Sequence, residues 1–462
     1  MKLDRFTAFM LLIFLGLILV STLAGRVGIH DAGEYITIAK AMAGYENVPL
    51  FSAHSVIYPL FLAPFIKIWP SLTMLKIISV FWLIGTALIL KKYYGKKAFL
   101  LFALSPIVWF MTVEVSPILP VTFFFTLSYY FIDKWKKEKK TKHLIYSGFL
   151  VGVCTALWGG ALILVVFLFL VYLLNEKAKL SILLLIAFIA GYSTTFITDQ
   201  IVFGYFLQTT LTYFGANLTT LFGLGSSKVP ELTLSLLARA LFWISPVLVF
   251  LIIRYKKEYK RELLLILLFL VFFYFRSGHP RGIKYFIIIA PLVAIALGNV
   301  LTQKEVAIVG AVGIIIAVFI VLPPHFYALH DISGLYKDDL IAIQKDGHDT
   351  IIAGPSQATE FAMILFEDKP QILWYEDFEL HKKGITEYSR YSYKSPTTKL
   401  PLTKQVNVDI TLTRTQERDY TGLPIVLPKD RAVPDPDFDL EKCYEVLCVY
   451  TPKKVKASVS IG

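Results

Sequence analysis

The chain has 462 residues, of which 56% are hydrophobic and only 17% charged, with a formal net charge of +12. That balance excludes an ordinary soluble domain. The positive charge does not read as a nucleic-acid footprint either, because most Lys and Arg sit in short clusters between apolar runs, the positive-inside pattern of a membrane protein.

Runs of about 20 apolar residues, enough to span hydrocarbon at about 1.5 Å per residue, recur from residue 6 to residue 322. The first, Phe6 to Ala24, follows Lys2 and Arg5; it is longer than a signal-peptide core and reads as a retained span. Spans at 72–90, 97–113 and 117–133 follow. The clusters Lys91, Lys92, Lys96, Lys97 and KWKKEKKTK (134–142) mark the cytoplasmic side. The stretch 144–174 is too long for one upright crossing and short for two. Keeping RYKKEYKR (254–261) cytoplasmic requires a break, expected at Trp158-Gly159-Gly160, into two short spans. Further spans at 180–198, 232–253, 262–275, 283–301 and 305–322 bring the count to about eleven. The amino terminus is then cytoplasmic and the carboxyl terminus extracytoplasmic. The loop 199–230 carries a glycosylation sequon at Asn217.

Residues 1–322 thus form a polytopic α-helical domain. Beyond ProProHis (323–325) polar content rises, and 323–462 reads as a small extracytoplasmic α/β domain. Thr350–Gly354 is a strand, Ser356–Glu367 a helix with a Ser cap, and Gln371–Tyr375 a second strand. Cys443 and Cys448 can pair outside the cell if a turn brings them together, whereas on a straight strand they would lie on opposite faces. His325, His330 and His348 lack zinc-like spacing, and DPDFDLE (435–441) reads as a Pro-containing turn rather than a calcium loop, so neither metal nor cofactor is expected.

Two constellations carry chemistry. In IHDAGEYITIAKAM (29–42), Asp31, Glu34 and Tyr35 fall at i, i+3 and i+4, one face of a helix. Ile36, Ile38 and Met42 lean towards lipid, so the plain reading is an interfacial helix with its acids in water. The next segment, HSVIYPLFLAPF (54–65), is too short to span and carries Pro59 and Pro64. Span parity keeps 25–71 outside as a lid of two helices around His54 and the acidic pair. The second constellation is RSGHPRGIKY (276–285), which sets Arg276, His279, Arg281 and Lys284 at an outer edge where the positive-inside rule should exclude them. Either they snorkel from helix ends, or they form a phosphate site for a lipid headgroup.

Asp-x3-Tyr-x3-Ala (Asp31, Tyr35, Ala39), Tyr-Pro-x4-Ala-Pro (Tyr58 to Pro64) and Lys284-Tyr285 leading into Pro291 together resemble the GT-C superfamily of membrane glycosyltransferases. The resemblance is to the polyprenyl- or dolichyl-phosphate-sugar-dependent members, such as protein O-mannosyltransferases and the aminoarabinose transferase. It covers about residues 1 to 322. It implies inverting transfer of a monosaccharide, a hexose such as mannose, from a polyprenyl-phosphate donor to a protein, glycan or lipid hydroxyl on the external face. Asp31 then corresponds to the catalytic base, and Lys284 to the cation that precedes Tyr. Glu34 is the second catalytic acid, and Tyr35, His54, Tyr58, His279, Arg281 and Lys284 are the expected substrate contacts. The chain departs from the pattern in two respects: Ala32 follows Asp31 where relatives often have adjacent acids, so Glu34 stands a turn away, and His54 stands near a Lys of some members. The alternative is a headgroup-binding flippase or transporter, which should carry ionisable residues mid-span.

Overall fold

The computed structural model describes residues 4–24, 31–45, 55–162, 164, 178–203, 206–207, 209–210, 234–248, 250–254, 260–276, 280–323, 332–366, 370–382, 391–392, 409–410, 420–430 and 436–453. The chain is mostly helical to residue 323, and a small sheet follows. Helix α1 (Arg5–Leu23) is started by Asp4, whose carboxylate accepts the Thr7 N–H at 2.7 Å. Then come α2 (Asp31–Met42), α3 (Ile57–Ile68) and α4 (Leu72–Tyr94). Helices α5 (Lys96–Ala103) and α6 (Pro106–Phe110) with the 3₁₀ turn Met111–Val113 form a pair bent by 51°. Pro106 cannot donate to the preceding turn, which accounts for the bend.

Helices α7 (Ile118–Glu138) and α8 (Thr141–Leu157) follow, and α8 stops at Trp158, before a 3₁₀ turn at Gly159–Ala161. This is the break expected within 144–174. Next come α9 (Ala178–Tyr192) and α10 (Thr194–Phe203), then α11 (Leu234–Ile244), α12 (Phe250–Ile253) and α13 (Lys260–Arg276). Helices α8 and α9 touch backbone to backbone: a Cβ on Gly152 would meet the Phe188 carbonyl oxygen at 2.2 Å, and one on Gly191 the Phe149 oxygen at 2.1 Å. Gly148 and Gly152 make a small-xxx-small stripe that permits this approach. The expected span 283–301 is two pieces. A 3₁₀ helix, Pro280–Ile288, precedes α14 (Ala290–Val300), because Pro291 in the first turn lacks the N–H that would continue one helix. Helix α15 (Gln303–Ile316) opens with a capping box between Thr302 and Glu305 and runs into a π turn, Ala317–Val321.

Among the described residues four helices are long and apolar enough to cross a bilayer, or five if the bent pair counts as one span. The eleven crossings expected from hydropathy also draw on shorter and broken helices. The Asn217 sequon and His325 and His330 lie outside the described residues.

The last part packs α16 (Ile332–Lys345), α17 (Pro355–Ile364) and α18 (Tyr375–Lys382) on a five-stranded sheet of order β2-β1-β5-β7-β6. Strands β1 (Thr350–Ala353), β2 (Gln371–Trp374) and β5 (Ile425–Pro428) are parallel neighbours; β6 (Phe438–Cys443) and β7 (Leu447–Pro452) close the sheet antiparallel. A separate two-residue pair, β3 (Tyr391–Ser392) and β4 (Asp409–Ile410), completes the strands. Side chains alternate between two cores, with Ile351 and Ala353 against α16 and α17 on one face and Ile352 against Phe378 and Tyr420 on the other. The expected Ser cap is not used: Pro355 is the first helical residue, and Gly354 precedes it without a side-chain bond. Cys443 and Cys448 are bonded, because the chain reverses at 444–446 and pairs them across the β6–β7 hairpin. Asp339 of α16 holds that turn by accepting the N–H groups of Glu445, Val446 and Leu447 at 3.2, 2.8 and 2.8 Å.

Candidate functional site

The acid-bearing helix α2 is not the surface helix its sequence suggests. Ile36 and Ile38 are fully buried in protein rather than turned to lipid, and Met42 is half-buried. One side of α2 packs on α3 and the other on α17 of the α/β domain. Hydropathy could not show this, because an apolar face that meets a second domain reads like one that meets lipid.

Asp31 is the first residue of α2 and Glu34, half-buried, is one turn on. Acids in a first turn suit the positive end of the helix dipole. The Asp31 and Arg281 side chains, and all of His54 and His279, lie outside the described residues. Tyr35 and Tyr58 are brought together: both are buried, and their rings meet edge to face at 5.5 Å. The Tyr58 hydroxyl lies 3.3 Å from Ser79 Oγ. Burial pushes the Tyr58 phenol well above its ordinary range; bonds to Ser79 and the Ser116 backbone partly oppose this, and the Glu114 charge adds to it. Glu114, 7% exposed, is therefore a third carboxylate beside this aromatic pair. It is not among the residues singled out from sequence, although a lone acid directly after the span at 97–113 was signal enough to include it.

The basic segment takes 3₁₀ form, in which positions three apart eclipse. Positions 281 and 284 therefore share one face, with the buried Ile287 next along it, while Ile283, Phe286 and Ile289 fill another. Lys284 Nζ sits 5.4 Å from the centre of the Tyr285 ring, and Tyr285 stacks on Trp158 at 5.0 Å and 11°. Trp158 is the residue at which α8 ends, and α8 also packs on α3, the helix of Tyr58. Trp158, at the helix break, thus walls the Lys284–Tyr285 side. Gly160 permits it, since a Cβ there would strike the Trp158 ring at 2.3 Å.

Two buried lysines fix the acidic loop to its surroundings. Lys76 donates to the carbonyl of Ala24 at 2.6 Å, just past the end of α1, and Lys40 of α2 donates to the carbonyl of Ala362 at 2.5 Å, in the last turn of α17. Burial pushes the Lys40 ammonium down to about 7.

No family model matches the chain, and no curated protein matches it in sequence. A solved structure does: ArnT from Cupriavidus metallidurans bound to undecaprenyl phosphate, with a TM-score of 0.54 at 11% identity, covering 96% of this chain and 97% of that one. The chain has the ArnT fold. That match spans the helical part and the C-terminal sheet alike. It is a membrane-protein fold.

Among the described residues of the helical part the buried Asp, Glu, His and Lys outside α2 sit near helix ends: Lys76 in the first turns of α4, Glu114 after α6, His143 at the start of α8, Asp199 near the end of α10 and Glu262 at the start of α13. Among the described residues no group of three or more His, Cys, Asp or Glu could hold a metal ion.

Proposed function

We propose that the protein is an inverting glycosyltransferase that moves a monosaccharide, a hexose such as mannose, from a polyprenyl-phosphate carrier to an acceptor hydroxyl on the external face of the membrane. The observation that carries the reading is a fold shared end to end with a protein whose solved structure holds undecaprenyl phosphate. The acid-bearing helix clamped between the helical core and the α/β domain adds to it.

In this reading Asp31 is the general base. As the acceptor oxygen attacks the anomeric carbon, its O–H proton passes to the Asp31 carboxylate. The new O–C bond forms opposite the breaking C–O bond, which inverts the centre. The electron pair of that bond leaves with the phosphate, so the second product is polyprenyl phosphate. A phosphate monoester needs no acid to leave, and cations at positions 281 and 284 would offset the charge it gains. Glu34, and with it Tyr35 and Tyr58, would orient the acceptor or a neighbouring cation, and His54 and His279 would complete the headgroup contacts.

The test is to incubate purified protein with a panel of polyprenyl-phosphate sugars and follow release of polyprenyl phosphate. Release from at least one member, with the sugar recovered on an added hydroxyl acceptor, is the expected outcome. Binding of the lipids without any release would favour a headgroup-binding flippase or transporter.

A further inference from the structure

Lys40 is completely buried, and among the described residues no carboxylate pairs with it. What surrounds it is the end of a helix. The last four carbonyls of a helix have no partner within it and carry its partial negative charge. In α17 the Phe361 oxygen takes the N–H of Leu365, while the Ala362 oxygen takes the Lys40 ammonium. The rings of Phe366 and Tyr45 flank the same ammonium, with centres at 4.7 and 5.4 Å, the arrangement in which an aromatic face attracts a cation. Around this point Ala41 and Tyr45 pack against the core of the α/β domain, and Met363, Ile364 and Phe366 of that domain pack into the core of the helical part. The Ala362 carbonyl, the end of α17 and the Phe366 ring, all of the C-terminal domain, thus form a socket with the Tyr45 ring, and a lysine of the acid-bearing helix is its plug.

We infer that Lys40 is a positioning residue, through which the C-terminal α/β domain holds helix α2, and with it Asp31, in register for transfer. The inference rests on the reading of Asp31 as the base. The domain is then a structural partner of the catalytic loop rather than an appended module. A shift of about 1 Å at a reacting group is enough to cost up to about a hundredfold in rate, so a loosened α2 lowers turnover while the donor contacts of the 280–288 segment stay intact.

The experiment uses full-length Lys40→Met, which keeps the length and apolar stem but cannot donate, with undecaprenyl-phosphate mannose as donor and glycerol as a simple hydroxyl acceptor. Expected are hydrogen exchange in 31–42 several-fold faster than wild type, with unchanged protection of 72–94 and 350–353. The maximal rate falls roughly tenfold, with the donor KM within about twofold. A general loss of packing would move all three segments and KM together. If Lys40→Met does not fold, Phe366→Leu, which removes one wall of the socket but keeps the hydrogen bond, should show the same pattern more weakly. Unchanged exchange in 31–42, or faster exchange with an undiminished maximal rate, overturns the inference. Asp31→Asn run beside these variants separates the two claims. An inactive Asp31→Asn confines the failure to Lys40, and a fully active one removes the catalytic reading and this inference together.

Discussion

Asp31→Asn yields folded protein that still binds the lipid donor but transfers sugar at least about a hundredfold more slowly than wild type. Asparagine is nearly isosteric with aspartate and retains a carbonyl oxygen, so it can occupy the first turn of α2, but it cannot accept the acceptor's proton. General-base assistance contributes typically 10²–10⁴-fold, and the leaving polyprenyl phosphate offers no compensating route to deprotonation. Glu34→Gln should lose less, because Glu34 lies one turn further into α2 and is assigned an orienting role. Donor binding, measured by equilibrium dialysis with labelled lipid, separates a lost base from a lost fold. Transfer at the wild-type rate in folded, donor-binding Asp31→Asn would return α2 to a purely structural element.

Replacing Arg281 or Lys284 by Ala should weaken donor use roughly ten- to a hundredfold each, read as kcat/KM for the donor. A charge-assisted hydrogen bond contributes about 1.5–3 kcal/mol, and about 1.4 kcal/mol is a factor of ten. The 3₁₀ form of Pro280–Ile288 sets both positions on one face, so one phosphate group can meet both. Arg281→Lys should recover only part of the loss, because an ammonium does not reproduce the guanidinium fork. A double Ala variant with full activity would mean that these cations only snorkel.

Much of the fold was legible because its signals are local. The long apolar runs that form α1, α4 and α15 and the glycines after Trp158 act over neighbouring residues, and the strand, helix and strand from Thr350 to Trp374 follow from short apolar runs between turn residues. What stayed hidden depends on contacts between distant segments. The burial of α2 depends on α3 and on α17, the latter more than three hundred residues later. Nothing near Lys40 in the sequence marks it, because its partner, the Ala362 carbonyl, lies 322 residues away. Cys443 and Cys448 could not be paired from spacing alone, since the same interval is compatible with a straight strand or a hairpin. At the candidate site the residue types were legible, whereas the grouping of Tyr58 with Glu114 and of Lys284 with Trp158 required the helix packing.

The most direct measurement of the central claim is photo-crosslinking with an undecaprenyl monophosphate that carries a photoreactive group next to the phosphate, followed by peptide mapping. The account predicts labelling in 280–288 and in the first turn of α2, with loss of the 280–288 label in the Arg281→Ala, Lys284→Ala double variant. Labelling confined to peptides of the other basic clusters, 134–142 or 254–262, would contradict it.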